Sequence, residues 1–260
     1  MINQSLLIKS RAVQVPLLGY LLISICFPLY AGESDITVGA GVGYTDKPYR
    51  DYDDDEKTAI LPILRYEGQH FFIRDTTVGW DFLKNDRLEL AIIGKYLADG
   101  YDSGDSDFLS GMSDRDASIG VGGLARIQVG NLGLHLVAVT DVADESDGTQ
   151  VTTRLDYRIK QGGFSLVPYM SVVWQDDDYN DYYYGVRSSE ATSVRPAYSA
   201  DDDFSYRFGV NLSYRKDGSP WLFTSGIQHE QFGDEIDDSP ITNDDNVLSA
   251  FIGIGYVFNL

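Results

Sequence analysis

Cysteine is almost missing from the 260 residues: Cys26 stands alone, so neither a disulfide framework nor a cysteine-based zinc site can be built within the chain. Histidine is nearly as scarce, with His70, His135 and His229, which leaves little for acid–base chemistry at neutral pH. Bases are outnumbered, 20 Lys+Arg against 40 Asp+Glu, and the net charge of −20 gives the surface the sign of phosphate, so no nucleic acid is expected as a partner. There is no G-x-S-x-G, no H-E-x-x-H and no P-loop, so the residues point to no enzyme, cofactor or metal site. A mean hydropathy of −0.20 shows no bundle of membrane helices, although strands with one polar face would leave a similar average. What the chain does have is aromatic surface, 18 Tyr, 12 Phe and 3 Trp, too much for a disordered acidic protein.

The N-terminus reads as a secretory signal. Lys9 and Arg11 precede an apolar run from Val15 to Tyr30, and Ala31-Gly32 offers a small residue at the cut. The expected division is a cleaved signal peptide over 1–31 and a single domain over 32–260. An uncleaved anchor fits less well, because Pro16 and Pro28 interrupt a run shorter than the ~20 residues a span needs. Lipidation at Cys26 also fits poorly, since the bulky Ile25 precedes it.

Beyond residue 35 the chain alternates with period two. Phe204, Tyr206, Phe208, Val210, Leu212 and Tyr214 share one face, while Ser205, Arg207, Gly209, Asn211, Ser213 and Arg215 share the other. Leu248, Ala250, Ile252, Ile254, Tyr256 and Phe258 repeat the pattern at the C-terminus. A soluble sandwich also alternates, but these strands are longer than its usual ~5–6 residues and their second face is charged or glycine-rich. The pattern predicts strands over 36–44, 58–66, 69–75, 76–83, 87–96, 116–128, 132–141, 149–160, 163–175, 203–215, 219–231 and 246–258. Short turns (Glu67-Gly68, Lys84-Asn85-Asp86, Gly130-Asn131, Gln161-Gly162, Lys216-Asp217-Gly218) alternate with long connections (45–57, 97–115, 142–148, 176–202, 232–245). The expected fold class is all-β: a closed antiparallel transmembrane β-barrel of twelve strands with short periplasmic turns and long acidic extracellular loops. If 69–83 were one bent strand, the parity of the connections would fail for the rest of the chain; twelve strands are therefore expected, with ten as the alternative. Tyr44, Tyr66, Trp80, Tyr96, Trp174, Tyr214, Trp221 and Tyr256 fall toward strand ends, where an interfacial girdle is expected.

Parity also assigns a lumen. Its lining candidates are the bases Arg65, Arg74, Lys95, Arg126, Arg154, Arg158, Lys160, Arg207 and Arg215 and the acids Asp81, Glu89, Asp156 and Glu230. Such charges either line a water-filled pore or pair across a narrow barrel and plug it. The loops are acidic, most densely over Asp51 to Glu56 and Asp176 to Asp178. They read as a solvated crown, with divalent-cation bridging to lipopolysaccharide as the functional alternative. Within the longest loop, Tyr179, Tyr182, Tyr183 and Tyr184 are loop-recognition candidates, since exposed Tyr beside Asn and Gly suits binding loops. The same residues would equally suit a loop folded inward to constrict the lumen.

Several blocks carry a family likeness: Ile36-Thr37-Val38-Gly39-Ala40-Gly41-Val42-Gly43-Tyr44, then Leu61-Pro62-Ile63-Leu64-Arg65-Tyr66-Glu67-Gly68-Gln69-His70-Phe71-Phe72-Ile73, Val78-Gly79-Trp80, and the ending Gly255-Tyr256-Val257-Phe258. Together they resemble the MipA/OmpV family of Gram-negative outer-membrane proteins. The resemblance implies a non-enzymatic envelope scaffold linked to peptidoglycan synthesis and turnover, with a murein transglycosylase and a murein synthase as partners. Porin-like and adhesive members also belong to that family. Outer-membrane lipid, lipopolysaccharide and the barrel-assembly machinery are the further partners expected of such a barrel. The charged inner faces keep a small-solute porin as the alternative.

Overall fold

Residues with alternating outward apolar and inward polar or small side chains form nearly every strand, because one face meets hydrocarbon and the other the interior. The computed structural model describes residues 34–53 and 57–260; the expected signal segment, 1–31, lies outside the described residues. The strands are β1 (Asp35–Thr45), β2 (Thr58–Glu67), β3 (Phe71–Arg74), β4 (Thr77–Lys84), β5 (Leu88–Leu97), β6 (Ser118–Val129), β7 (Leu132–Asp141), β8 (Thr149–Tyr157), β9 (Ile159–Gln161), β10 (Phe164–Gln175), β11 (Asp203–Tyr214), β12 (Trp221–Gln231) and β13 (Asn246–Asn259). All neighbours are antiparallel, and pairing of β13 with β1 and of β10 with β11 closes the sheet on itself. Closure gives every wall strand partners on both sides, which an open sheet in lipid would lack.

Thirteen segments make a twelve-stranded wall. Both β8 and β9 pair with β10 in one continuous register, Tyr169 opposite Asp156 and Leu166 opposite Ile159. The ladder breaks beside Pro168, which has no N–H to contribute. At the other ambiguous place, β3 and β4 are separate strands, with Phe71 opposite Trp80. Asp75, at φ 54°, makes the turn between them without glycine. That turn decides for twelve strands over ten.

Outward side chains include Val38, Phe208, Ile252 and Phe258, all exposed, while their neighbours in the alternation face inward. At the short-turn end, Gly130, Gly162 and Gly218 take φ of 59°, 57° and 73°, a region that hairpin turns need and glycine enters without strain. The long connections do not stay in solvent. They carry two helices, α1 (Asp177–Tyr184) and α2 (Asp234–Asp237), and turn into the barrel mouth. There Tyr49, Tyr101, Leu109, Tyr183, Ile236 and Ile241 pack on inward residues of the wall such as Phe72, Ile93, Leu97 and Val139. The main apolar core therefore lies inside the long-loop half of the barrel; the solvated-crown reading is corrected for the apolar loop residues, and the burial of Tyr179, Tyr183 and Tyr184 fits the inward-folded alternative. The apolar surface of the loop residues finds burial against the wall.

Candidate functional site

The lower lumen holds a chain of ion pairs built on β2 to β6. Glu67 stands at its centre, 2.5 Å from Arg65, 2.7 Å from Arg74 and 3.3 Å from Lys84. Arg74 continues to Glu89 at 2.6 Å, Lys84 to Asp81 at 3.1 Å, and Arg126 lies 3.9 Å from Glu89. Antiparallel pairing brings these groups together, since Arg65 is opposite Arg74 and Glu89 opposite Arg126, and like charges opposed across strands need an acid between them. Neither Glu67 nor Lys84 was among the lumen candidates, because both were read as turn residues; extending the inward parity of Arg65 by one step would have found Glu67.

A second group lies beside the first on β7 and β8, where His135 is opposite Arg126 and Arg154. His135 Nε2 is 2.7 Å from Asp156 Oδ1, and Arg154 Nε is 4.0 Å from the same oxygen. The Arg154 guanidinium lies 3.6 Å from the centre of the Tyr169 ring, whose hydroxyl donates to Gln228 Oε1 at 2.8 Å. A third group joins Arg207 to Glu230 at 2.8 Å and Lys95 Nζ to Gln150 Oε1 at 3.1 Å. Not every candidate sits in the interior. Arg215 Nε donates to Ser219 O at 2.8 Å, which folds it onto the periplasmic-side turn, and Lys160 is exposed at the same rim. There parity still points inward, but the wall has ended.

The upper lumen is stoppered by the loops. Asp176 starts α1 by accepting the Tyr179 N–H at 3.0 Å and the Thr149 N–H at 2.9 Å, which meets orphan donors of the first turn. The helix then places Tyr179, Tyr183 and Tyr184 inward, all buried. Tyr183 meets Tyr179 and Tyr182 at 4.8 Å ring separation, Tyr49 meets Tyr101 at 4.7 Å, and the Tyr179 hydroxyl donates to Asp99. As loop-recognition residues Tyr179, Tyr183 and Tyr184 are corrected: their rings lie inside the barrel mouth and cannot touch a partner outside. Tyr182 is half-buried and its hydroxyl donates to Glu145 Oε2 at 3.1 Å. Burial raises the Tyr101 hydroxyl to about 12.

Glu190 and Arg115 pin the cap at 2.9 Å. Burial alone would raise the Glu190 carboxyl, but hydrogen bonds from Arg115 and from the Ser113 and Arg187 main chain outweigh it and hold the pKa at about 2. Loop acids serve the loops in the same way elsewhere. Asp141 accepts the N–H groups of Ala143, Glu145, Ser146 and Asp147 at 2.6 to 3.0 Å. Among the described residues no three His, Cys, Asp or Glu side chains gather around a position for a metal ion. Of the remaining histidines, His70 stacks on Trp80 with its Nδ1 3.1 Å from Asp81 O, and His229 is exposed on the outer face.

Comparison with known proteins identifies the family. The family model described as MltA-interacting protein MipA matches residues 38–258. The MltA-interacting protein of Escherichia coli K12 is 31% identical over 232 residues, covering 87% of this chain and 91% of that one. Outer membrane protein OmpV of Vibrio cholerae is 29% identical, covering 79% and 80%, and the putative outer membrane protein YiaT of Escherichia coli K12 is 28% identical, covering 91% and 96%. Among solved structures, the COG4313 outer membrane channel of Pseudomonas putida aligns with 91% of this chain and 98% of its own, at 13% identity and a TM-score of 0.45. With a barrel wall closed for lipid and a family match along its length, this is an outer-membrane protein, and the chain belongs to the MipA family.

Proposed function

We propose that the protein is a closed, non-enzymatic barrel that serves the envelope as a scaffold, with its periplasmic rim as the working surface. The observation that carries this reading is the stoppered lumen: the loops fill its upper half, and ion pairs from Arg65 to Arg126 line one arc of the wall below. A wall whose interior is occupied has only its rims to offer. The periplasmic turns are short, but they present Arg87 and Lys216 beside Asp86 and Asp217, a more basic surface than the acidic crown opposite. The name of the Escherichia coli relative, MltA-interacting protein, supports a murein transglycosylase as one partner, and a murein synthase is the second partner proposed. A mature chain starting at Gly32, assembly by the barrel-assembly machinery and contact with lipopolysaccharide belong to the same proposal.

The test is capture of purified periplasmic murein enzymes by the folded mature chain in detergent. Wild type should retain a transglycosylase, and reversing charge at Arg87 and Lys216 together should release it. Retention unchanged by the reversal, or none in wild type, counts against the scaffold. A small-solute pore is the second reading. It is favoured by the buried hydroxyls of Ser165, Ser205 and Thr224, which have no protein partner and suit lumen water.

A further inference from the structure

Bases and hydroxyls meet on one stretch of the periplasmic rim. Register sets Lys160 of β9 opposite Ser165 of β10, Ser165 opposite Ser213 of β11, and Ser213 opposite Thr224 of β12. Directly opposed residues share a face and stand about 5 Å apart, so these four side chains form one row across four strands. The face is the inner one: Ser165 and Thr224 are 9% and 3% exposed, whereas their chain neighbours Phe164, Leu166 and Phe223 are exposed on the lipid side. Arg158 stands two residues from Lys160 on the same face. Arg215 stands two residues from Ser213, with its main-chain N–H on Gly163 O at 3.0 Å. Bases therefore flank β10 on both sides, and at this level β10 contributes only the short Ser165.

Two features set this stretch apart from the rest of the charged interior. Elsewhere the bases have acids: Arg65 and Arg74 meet Glu67, Arg126 lies by Glu89, Arg154 by Asp156, and Arg207 meets Glu230. At the rim, among the described residues, no carboxylate lies within ion-pair distance of Lys160 or Arg215. Asp156 is held by His135, and Asp35 and Asp217 belong to the start of β1 and to a turn. The second feature is neutral. Ser165 Oγ and Thr224 Oγ1 are buried and have no protein partner, although a hydroxyl can both donate and accept. The row is also open to the periplasm. Lys160, Gln161 and Gly162 are exposed, and Arg158, Ser213 and Arg215 are partly exposed although parity turns them inward. None of them belongs to the core that fills the barrel mouth.

We propose that this row is a binding site for a carboxylate-bearing glycan, the murein polymer of the periplasm. Lys160 and Arg215 meet a carboxylate, and Ser165 and Thr224 meet the hydroxyl and amide groups beside it. The row asks for an oxyanion next to neutral hydrogen-bonding groups. Murein supplies both, in its stem-peptide carboxylates and its sugars, on the side of the membrane that this rim faces. A phospholipid head group of the inner leaflet would come from the outer face of the wall, where Ile159 and the Phe164–Tyr214 ring pair stand instead of bases. The inference rests on the periplasmic rim being the working surface, and it concerns murein itself rather than the enzymes that act on it.

The experiment sediments murein sacculi with the folded mature chain in detergent at about 0.15 M salt, where diffuse surface attraction fades beyond ~8 Å. No enzyme is present, so failure here leaves capture of a transglycosylase untouched, and failure of that capture leaves retention on sacculi untouched. Wild type should be retained saturably, and soluble muropeptides should release it. Sacculi with amidated carboxylates should not retain it, and phosphatidylglycerol vesicles should not compete. K160Q should weaken binding about tenfold or more, the size of a lost charged hydrogen bond, and S165A about threefold, the size of a lost neutral one. Lys160 is exposed and Ser165 Oγ has no protein partner, so both variants should fold, which heat-modifiable gel mobility checks. No saturable retention, equal retention by amidated sacculi, release by the vesicles, or unchanged affinity in folded K160Q or S165A would each overturn the proposal.

Discussion

Gly209 shows how much one position can carry. A Cβ there would lie 2.5 Å from the Tyr169 ring, the ring that stacks under Arg154 and anchors on Gln228. Gly209→Ala should therefore cost about 1–3 kcal/mol as an overpacking change, read by urea unfolding in lipid vesicles. Ile252, 68% exposed on the lipid face, gives the opposite case: Ile252→Arg should cost ~2–4 kcal/mol through the lipid alone. Equal small effects at both positions would mean the faces are reversed. Glu190 gives a pH prediction. Its folded pKa of about 2 lies below the ordinary 4.5, so its contribution is complete above about pH 4.5 and disappears as the pH falls toward 2. Protease sensitivity of the loops at residues 98–117 and 186–202 should rise over that window. Glu190→Gln should raise it already at neutral pH and flatten the dependence.

Among the elements, α1 depends on its first turn. Asp176 caps the helix and also binds the Thr149 N–H at the top of β8, so the helix and the wall share one carboxylate. Asp176→Ala should cost about 1 kcal/mol for the cap, and its sign should be faster amide exchange through residues 177–184 with β8 little changed. If β8 below Thr149 exchanged equally fast, the cap would be part of the wall's own stability and the division into wall and stopper would fail. The β3–β4 hairpin is the other informative element. Its turn residue Asp75 holds φ at 54°, which Asp tolerates and a β-branched residue does not.

For the whole molecule, the stopper predicts conductance. Wild type in a planar bilayer should show no steps, whereas replacing residues 177–200 by a short glycine-serine link should open a path. The lumen would then present Arg65, Arg74, Lys84, Lys95, Arg126, Arg154 and Arg207 against Glu67, Asp81, Glu89, Asp156 and Glu230. That excess of bases between low-dielectric walls favours anions weakly. The remaining loop acids sit in water, where a Debye length of ~8 Å at 0.15 M salt limits their reach. Reversal potentials across a salt gradient check this, and selectivity should shift toward cations as salt is lowered. Steps in wild type of the same size as in the shortened chain would show that the loops do not close the barrel.

Strand number, facing and hairpin turns were legible in the residues because they are local. Phe208, Val210 and Leu212 alternate with Arg207, Gly209 and Asn211 whatever they pair with, and Gly130, Gly162 and Gly218 mark tight turns without reference to the rest of the chain. The family blocks around Leu61 to Trp80 were legible too, as a likeness rather than a chemistry. What the tertiary structure decided is everything that depends on which distant residues meet. Register put Glu67 between Arg65, Arg74 and Lys84. Burial turned Tyr179, Tyr183 and Tyr184 from loop residues into the core of the barrel mouth. Alternation records the side of a strand, but it holds no information on how far a loop folds back or where a neighbouring strand stops. Those are set by burial and pairing across the closed wall.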